Sequence, residues 1–325
     1  MLNYSLLHED FSLNIIFAGT PTLAVPLLDM LTQSEHTIVT VLTQPDRPAG
    51  RGRQLTPSPV KTFALEHHLS ILQPEKLNSD EIFEALKSLR PDLMIVMAYG
   101  LFVPEKFLTL PRLGCVNAHV SLLPRWRGAS PIARSILAGD KITGTTLMQM
   151  DMGWDTGAML VKAMVVIEKD ETTETLSEKL AHLSAQLMKE NLSVIEHQTI
   201  QSEPQNNDLA THAKKIKVEE ARINWNDSAE YIDRVVRAFN PWPVAYIMIN
   251  NERVRIWKVD VIDEKTSATP GTIITTSKQG IDVATGDGIC RILEVQFPSK
   301  KQQYVRDILN AQNHPFKVGN SLNDN

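Results

Sequence analysis

The sequence predicts an α/β protein: an open, mostly parallel, twisted sheet with helices on both faces, followed by a smaller β-rich domain. Three observations carry this prediction. Short apolar runs alternate with helical periodicity through the first half of the chain. Beyond Ile223 the pattern changes to short alternating segments separated by turn signals. The 325 residues exceed one ordinary core and suit two domains.

Taken in order, the run from Leu13 to Gly19 is apolar and ends in Gly, as a buried parallel strand does. Thr20-Pro21 then predicts a helix cap and first helical residue, with Leu23, Val25, Leu27, Leu28 and Leu31 continuing the helix. Further strands are predicted over Thr37 to Leu42, Asp92 to Ala98 and Cys115 to His119. Leucines at 176, 180, 183, 187 and 192 predict a long helix from Thr172 to about His197. Residues 198–213 are polar, carry Pro204 and read as a linker. A helix from Tyr231 to Ala238 precedes alternation such as Val254-Arg255-Ile256-Trp257, with turns at Pro270-Gly271, Gly280 and Gly286-Asp287-Gly288. That is the pattern of a small barrel or sandwich, compatible with an OB-type barrel. The expected organisation is an extension over 1–11, a domain over 12–197, a linker over 198–213 and a second domain over 214–325.

Hydrophobic residues make up 42% and charged residues 22%, the mix of a globular protein. No apolar stretch reaches the ~20 residues that span a bilayer, so no membrane role is expected. The opening MLNYSLLHED has no basic region ahead of an apolar core, and reads as a short extension rather than a secretory signal. Cys115 and Cys290 are distant from each other and each lies in an apolar run, which suits core residues in a reducing cytoplasm. They form no metal-ligand cluster, and no metal is expected. The net charge is -5, with about +2 on residues 211–325, which neither supports nor excludes a nucleic-acid partner.

Asn117 and His119 sit two apart on a predicted strand, so both side chains project to one face. Ser121-Leu122-Leu123-Pro124 then ends the strand where open α/β sheets bind ligands. Asn and His can both donate hydrogen bonds, so the pair suits one developing oxyanion. The plainer reading is a polar pair at a frayed strand end. Asp155 lies in Met150-Asp151-Met152-Gly153-Trp154-Asp155-Thr156-Gly157, a tight loop. Its carboxylate could support a charged His119 and take a proton from an attacking amine, or simply close an Asx-turn. The segment from Gln44 to Pro59 holds Arg47, Arg51 and Arg53 with four prolines, and is too long for an ordinary connection. Its guanidinium groups suit phosphates, against the alternative of a solvated loop. Lys214, Lys215 and Lys217 form a short basic cluster facing the same choice. FAGTP has one Gly and lacks the dinucleotide fingerprint, and no G-x-S-x-G or H-E-x-x-H motif is present.

Together these segments resemble the methionyl-tRNA formyltransferases over nearly the whole chain. The resemblance rests on FAGTP (17–21), TQPDRPAGRG (43–52), AYGLFVPE (98–105), GCVNAHVSLLPRWRGASPI (114–132), MQMDMGWDTGAML (148–160), FNPWP (239–243) and PGTI (270–273). It implies a Rossmann-like formyl-transfer domain, a C-terminal OB-like domain, 10-formyltetrahydrofolate as donor and initiator methionyl-tRNA as acceptor. It further implies catalytic roles for Asn117, His119 and Asp155, folate binding by Ser121, Leu122, Leu123 and Pro124, and tRNA contacts from Arg47, Arg51 and Arg53. Lys214, Lys215 and Lys217 are expected to add tRNA affinity, and a cytoplasmic monomer is expected. Val120 stands where the family usually has Gly, Gln54 where it has Lys, and Trp154 where it has a smaller apolar residue. The rival expectations are a formyltransferase or formyl-folate hydrolase acting on a small molecule, an RNA-binding protein with a silent α/β domain, and a nicotinamide-linked oxidoreductase.

Overall fold

The computed structural model describes residues 12–49, 54–311 and 314–323. The extension over 1–11 and the arginines Arg51 and Arg53 therefore lie outside the described residues. Two compact units are present. The first comprises the chain up to Gly128 with 143–165 and 177–212; the second comprises 129–142, 166–176 and the chain from Ala213.

The strands of the first half are β1 (Asn14–Gly19), β2 (Thr37–Leu42), β3 (Arg47–Ala49), β4 (Gln54–Thr56), β5 (Ile71–Leu72), β6 (Leu93–Met97), β7 (Cys115–His119), β8 (Arg127–Gly128), β9 (Ile142–Gln149) and β10 (Met159–Val166). The helices are α1 (Val25–Thr32), α2 (Pro59–Glu66), α3 (Asp80–Ser88), α4 (Glu105–Leu108), α5 (Pro131–Ala138) and α6 (Thr173–Glu196). Seven strands form the sheet of the first unit in the order β10-β9-β7-β6-β1-β2-β5. The pairs β1/β2, β1/β6, β2/β5 and β6/β7 are parallel, and β7/β9 is antiparallel. All five residues of β6 are buried, which is why its sequence is a continuous apolar run rather than an alternation. Truncating such a core side chain costs about 2–5 kcal/mol, so the centre of this sheet is a stiff platform for whatever projects from β7.

Local rules account for the helix starts, with one correction. Ser58 caps α2 by accepting from Lys61 N, and Pro59 follows at the first helical position. Ser79 caps α3, with Asp80 and Glu81 in its first turn and Lys87 in its last, as the helix dipole favours. Thr20 does not cap the first helix as the sequence suggested. Its hydroxyl donates to Tyr99 O at 2.8 Å, a short 3₁₀ turn over Thr22–Ala24 intervenes, and α1 begins at Val25. The Tyr99 carbonyl, next to a fully buried strand end, is the stronger claim on that hydroxyl.

The second unit is strand-rich. Its elements after β11 (His212–Ala213) are α7 (Ala229–Ala238), β12 (Tyr246–Ile249), β13 (Glu252–Ile262), β14 (Ile273–Ser277), β15 (Gly280–Ala284), β16 (Ile289–Gln296), β17 (Gln303–Tyr304) and α8 (Val305–Ile308). The sheet order is β12-β13-β16-β15-β14, with β17 on β16 and every pair antiparallel. Trp225, Phe239 and Phe316 are its largest buried side chains. Helix α5 packs into this unit: Arg134 bonds Glu220 at 2.6 Å, and Arg234 donates to Leu137 O. The compact units thus cut the chain at several points rather than at one linker. The segment 198–213 is not a bare tether, because Glu203 pairs with Met159 and Asn207–Leu209 forms a 3₁₀ turn.

Candidate active site

The candidate site is built on β7. In register, Asn117 faces Val96 of β6 on one side and Met148 of β9 on the other, and His119 faces Thr146. Cys115, Asn117 and His119 share one face of the strand. Cys115 is fully buried, and burial pushes its thiol up to about 12, so it is a packing residue and not a nucleophile.

Because β9 runs antiparallel to β7, the loop after it begins beside the amino half of β7, where Met150 N donates to Cys115 O at 2.8 Å. The loop bends back to set Asp155 against both polar side chains of β7. Asp155 Oδ1 lies 3.5 Å from Asn117 Nδ2, and Oδ2 lies 3.7 Å from His119 Nδ1. The 3.7 Å approach is too long for a hydrogen bond, so that Nδ1 edge is not consumed by the carboxylate. A firm bond comes instead from Gly128 N to Oδ2 at 2.8 Å. The two aspartates of the loop divide the roles the sequence left open. Asp151 closes the turn by accepting from Gly153 N and Thr156 Oγ1, while Asp155 faces the strand. Gly157 is required by close approach, since a Cβ there would collide with Gln149 O.

The other ring nitrogen of His119 is tied off. Nε2 lies 2.9 Å from Trp126 O, and a carbonyl only accepts, so Nε2 carries a proton. Both nitrogens of a doubly protonated ring would then face acceptors. Trp126 and Asp155 both hold positive φ, 63° and 55°. For Trp this is a costly conformation, which persists when surrounding bonds determine it. Here they do: Trp126 N donates to Thr211 Oγ1 and Arg127 N to Thr211 O, both at 2.9 Å.

The 121–124 turn is fixed from below. Ser121 is fully buried and donates to Arg125 O, while Thr146 Oγ1 donates to Ser121 O and accepts from Leu123 N. Leu123 is also buried, so Leu122 and Pro124 are the partly accessible members of the stretch. Val120 has no positive φ, so no residue with the freedom of Gly is demanded there. Trp154 is 74% exposed, with its ring 6.2 Å from that of Phe102.

The remaining expected residues stand apart from this cluster. Arg47 is exposed on β3, which pairs with β4, where Gln54 is also exposed. The nearby Asp46 is claimed by Lys61 at 2.7 Å and by Gln73, whose bonds hold its carboxyl below the usual value. Lys214, Lys215 and Lys217 are exposed on the second unit. A cavity of about 760 Å³ between α1 and α6 is lined by Val25, Met30, Phe63, His182 and Lys189 and contains none of the expected residues. The groups that sequence reasoning missed are mostly main-chain: Trp126 O and Gly128 N. No side-chain pattern encodes them. Gln205 was hidden in a polar run without periodicity.

Residues 13–192 match the formyl transferase family and residues 215–313 match the formyl transferase C-terminal domain. Among solved structures, an N-formyltransferase from Helicobacter canadensis in complex with folinic acid and dTDP-3-aminofucose matches with TM-score 0.66 at 20% identity, over 88% of this chain and 99% of that one. HypX from Aquifex aeolicus in complex with tetrahydrofolic acid matches with TM-score 0.63 at 17% identity, over 92% of this chain and 47% of that one. The chain therefore spans about half the length of HypX. A methionyl-tRNA formyltransferase from Clostridium thermocellum matches with TM-score 0.54 at 19% identity, over 78% of this chain and 95% of that one. At these identities the structural likeness shows the fold, and it is the family match over most of the first unit that establishes kinship: this chain belongs to the formyl transferase family.

Proposed function

We propose that the protein transfers a formyl group from 10-formyltetrahydrofolate to the amino group of initiator methionyl-tRNA. The observation that carries the chemical half is the convergence of Asn117 Nδ2 and His119 Nδ1 on one carboxylate, at 3.5 and 3.7 Å. Asn117 Nδ2 is a donor, and His119 Nδ1 becomes a second one when the ring carries both protons; side by side at the carboxylate, they suit the oxygen of a formyl group that becomes an oxyanion. The neutral amine attacks the formyl carbon, and a tetrahedral intermediate forms with its oxygen held by Asn117 and His119. The bond from carbon to the folate nitrogen then breaks. The proton lost by the amine reaches that nitrogen, with Asp155 as relay. Leu122 and Pro124 supply accessible surface of the folate-binding turn. No protein nucleophile is needed, which agrees with a Cys115 thiol held high by burial.

The acceptor half rests on sequence features. FNPWP and the arginine segment resemble the tRNA enzymes, and Arg47 is exposed with its neighbouring Asp46 already engaged. A free cytoplasmic tRNA is the corresponding substrate. A sugar-nucleotide amine is the second reading, favoured by the likeness to the dTDP-3-aminofucose complex over nearly all of that chain. The test is to incubate the protein and 10-formyltetrahydrofolate with charged initiator tRNA and, separately, with a dTDP-amino sugar. Formyl-methionine on the tRNA is the expected product. Turnover of the sugar alone would replace the first reading with the second.

A further inference from the structure

We propose that Gln205 is a positioning residue for Asp155, acting from the segment that the sequence reads as a linker. The inference rests on the reading of Asp155 as a catalytic group. Gln205 Nε2 donates to Asp155 O and to Gly157 O, both at 2.8 Å, and Gln205 Oε1 accepts from Arg127 Nε at 2.8 Å. The network itself fixes which end of the amide is which. Two carbonyls only accept and a guanidinium only donates, so the NH₂ must face the loop and the oxygen must face Arg127. Both donors and the acceptor of this side chain are used.

What is held this way is a strained loop. Asp155 keeps a φ of 55°, and its carbonyl and that of Gly157 are gathered onto a single amide nitrogen. Arg127 is 5% exposed and also bonds Asn207 Oδ1 at 3.0 Å. Its neighbours complete a closed circuit: Trp126 O bonds His119, Gly128 N bonds Asp155 Oδ2, and Thr211 bonds the main chain of 126 and 127. The chain from Glu203 to Thr211 therefore braces Asp155 and the turn that holds His119, and the Gln205 side chain touches the Asp155 main chain on one end and Arg127 on the other.

Glu at this position is nearly isosteric and would still pair with Arg127, but it offers no N–H to the two carbonyls. Gln205→Glu is accordingly the discriminating substitution. The measurement is steady-state formyl transfer from 10-formyltetrahydrofolate to methionyl-tRNA, or to the amino-sugar nucleotide if that is the acceptor turned over. Gln205→Glu should lower kcat about ten- to a hundredfold with both KM values within about threefold, because misplacing a reacting group affects the transition state more than binding. Gln205→Met, which removes the same donors without adding charge, should show the same split if Gln205→Glu fails to fold. Asp208→Asn, at an exposed side chain of the same segment outside this network, should leave kcat within about threefold. Equal losses in Asp208→Asn and Gln205→Met would reduce Gln205 to a general part of the segment's stability and overturn the proposal. Asp155→Asn, run alongside, separates the two layers. If it keeps normal turnover, the reading of Asp155 fails; if it is inactive while Gln205→Glu and Gln205→Met are normal, only the brace fails.

Discussion

The proposed reaction centre and the strand pair that carries Arg47 are built on opposite principles. Around Asn117, His119 and Asp155, side chains and main chain are mutually bonded, and two residues hold positive φ because their neighbours determine it. Around Arg47, by contrast, two three-residue strands pair with Arg47 and Gln54 exposed, and the side-chain bonds belong to Asp46 instead. Chemistry that must place donors within tenths of an ångström is proposed where bonds are redundant. Recognition of a large, charged acceptor needs reach and charge more than fixed geometry, and is expected where they are not.

That contrast can be broken or sharpened by substitution. The largest effect is expected at the strand: Asn117→Ala and His119→Ala should each lose about 10² to 10³ in kcat, the usual cost of one oxyanion donor, with melting temperature little changed. A purified variant with near-normal turnover would place the oxyanion elsewhere. A smaller effect, confined to the acceptor, is expected at the β3/β4 pair. Arg47→Ala should raise the KM for tRNA several-fold and reduce the slope of log K against log salt by about one, while folate affinity is unchanged. Equal salt slopes would remove Arg47 from the phosphate contacts. The smallest effect lies in the second unit and touches neither function. Arg134 holds the Glu220 carboxyl below its ordinary value of 4.5. Its charged form is therefore the one favoured by folding, so this contribution is fully present above about pH 4.5 and is lost as pH falls through the lower folded value. Glu220→Gln should lower the melting temperature at pH 7 by about 1–4 °C, with the gap closing as the pH falls below 4.5 and the carboxyl takes up its proton. A gap that persists at acid pH would assign the effect to packing.

Much of the framework was legible in sequence because it follows from periodicity. The runs at 13–19, 37–42, 92–98 and 115–119 appear as β1, β2, β6 and β7, and the leucine spacing of 176–192 appears within α6. The pairing of Asn117 with His119 on one face followed from the two-residue repeat of a strand. Asp155 did not follow from spacing, because two aspartates in one loop look alike until their bonds show that Asp151 closes the turn and Asp155 meets β7. The 198–213 segment was opaque for a related reason. Gln205 and Thr211 act through bonds to main-chain groups of residues far away in sequence, and a polar run carries no mark of that.

The two aspartates also offer the most direct test. Single-turnover formyl transfer with saturating 10-formyltetrahydrofolate and acceptor should be compared for Asp155→Asn and Asp151→Asn. Asp155→Asn should slow the step by about a hundredfold or more, as for loss of a proton-transfer group, and Asp151→Asn, which keeps an oxygen for the turn, should stay within about threefold. Equal rates for the two variants would contradict the assignment of Asp155, set against Asn117 and His119, as a reacting group of formyl transfer.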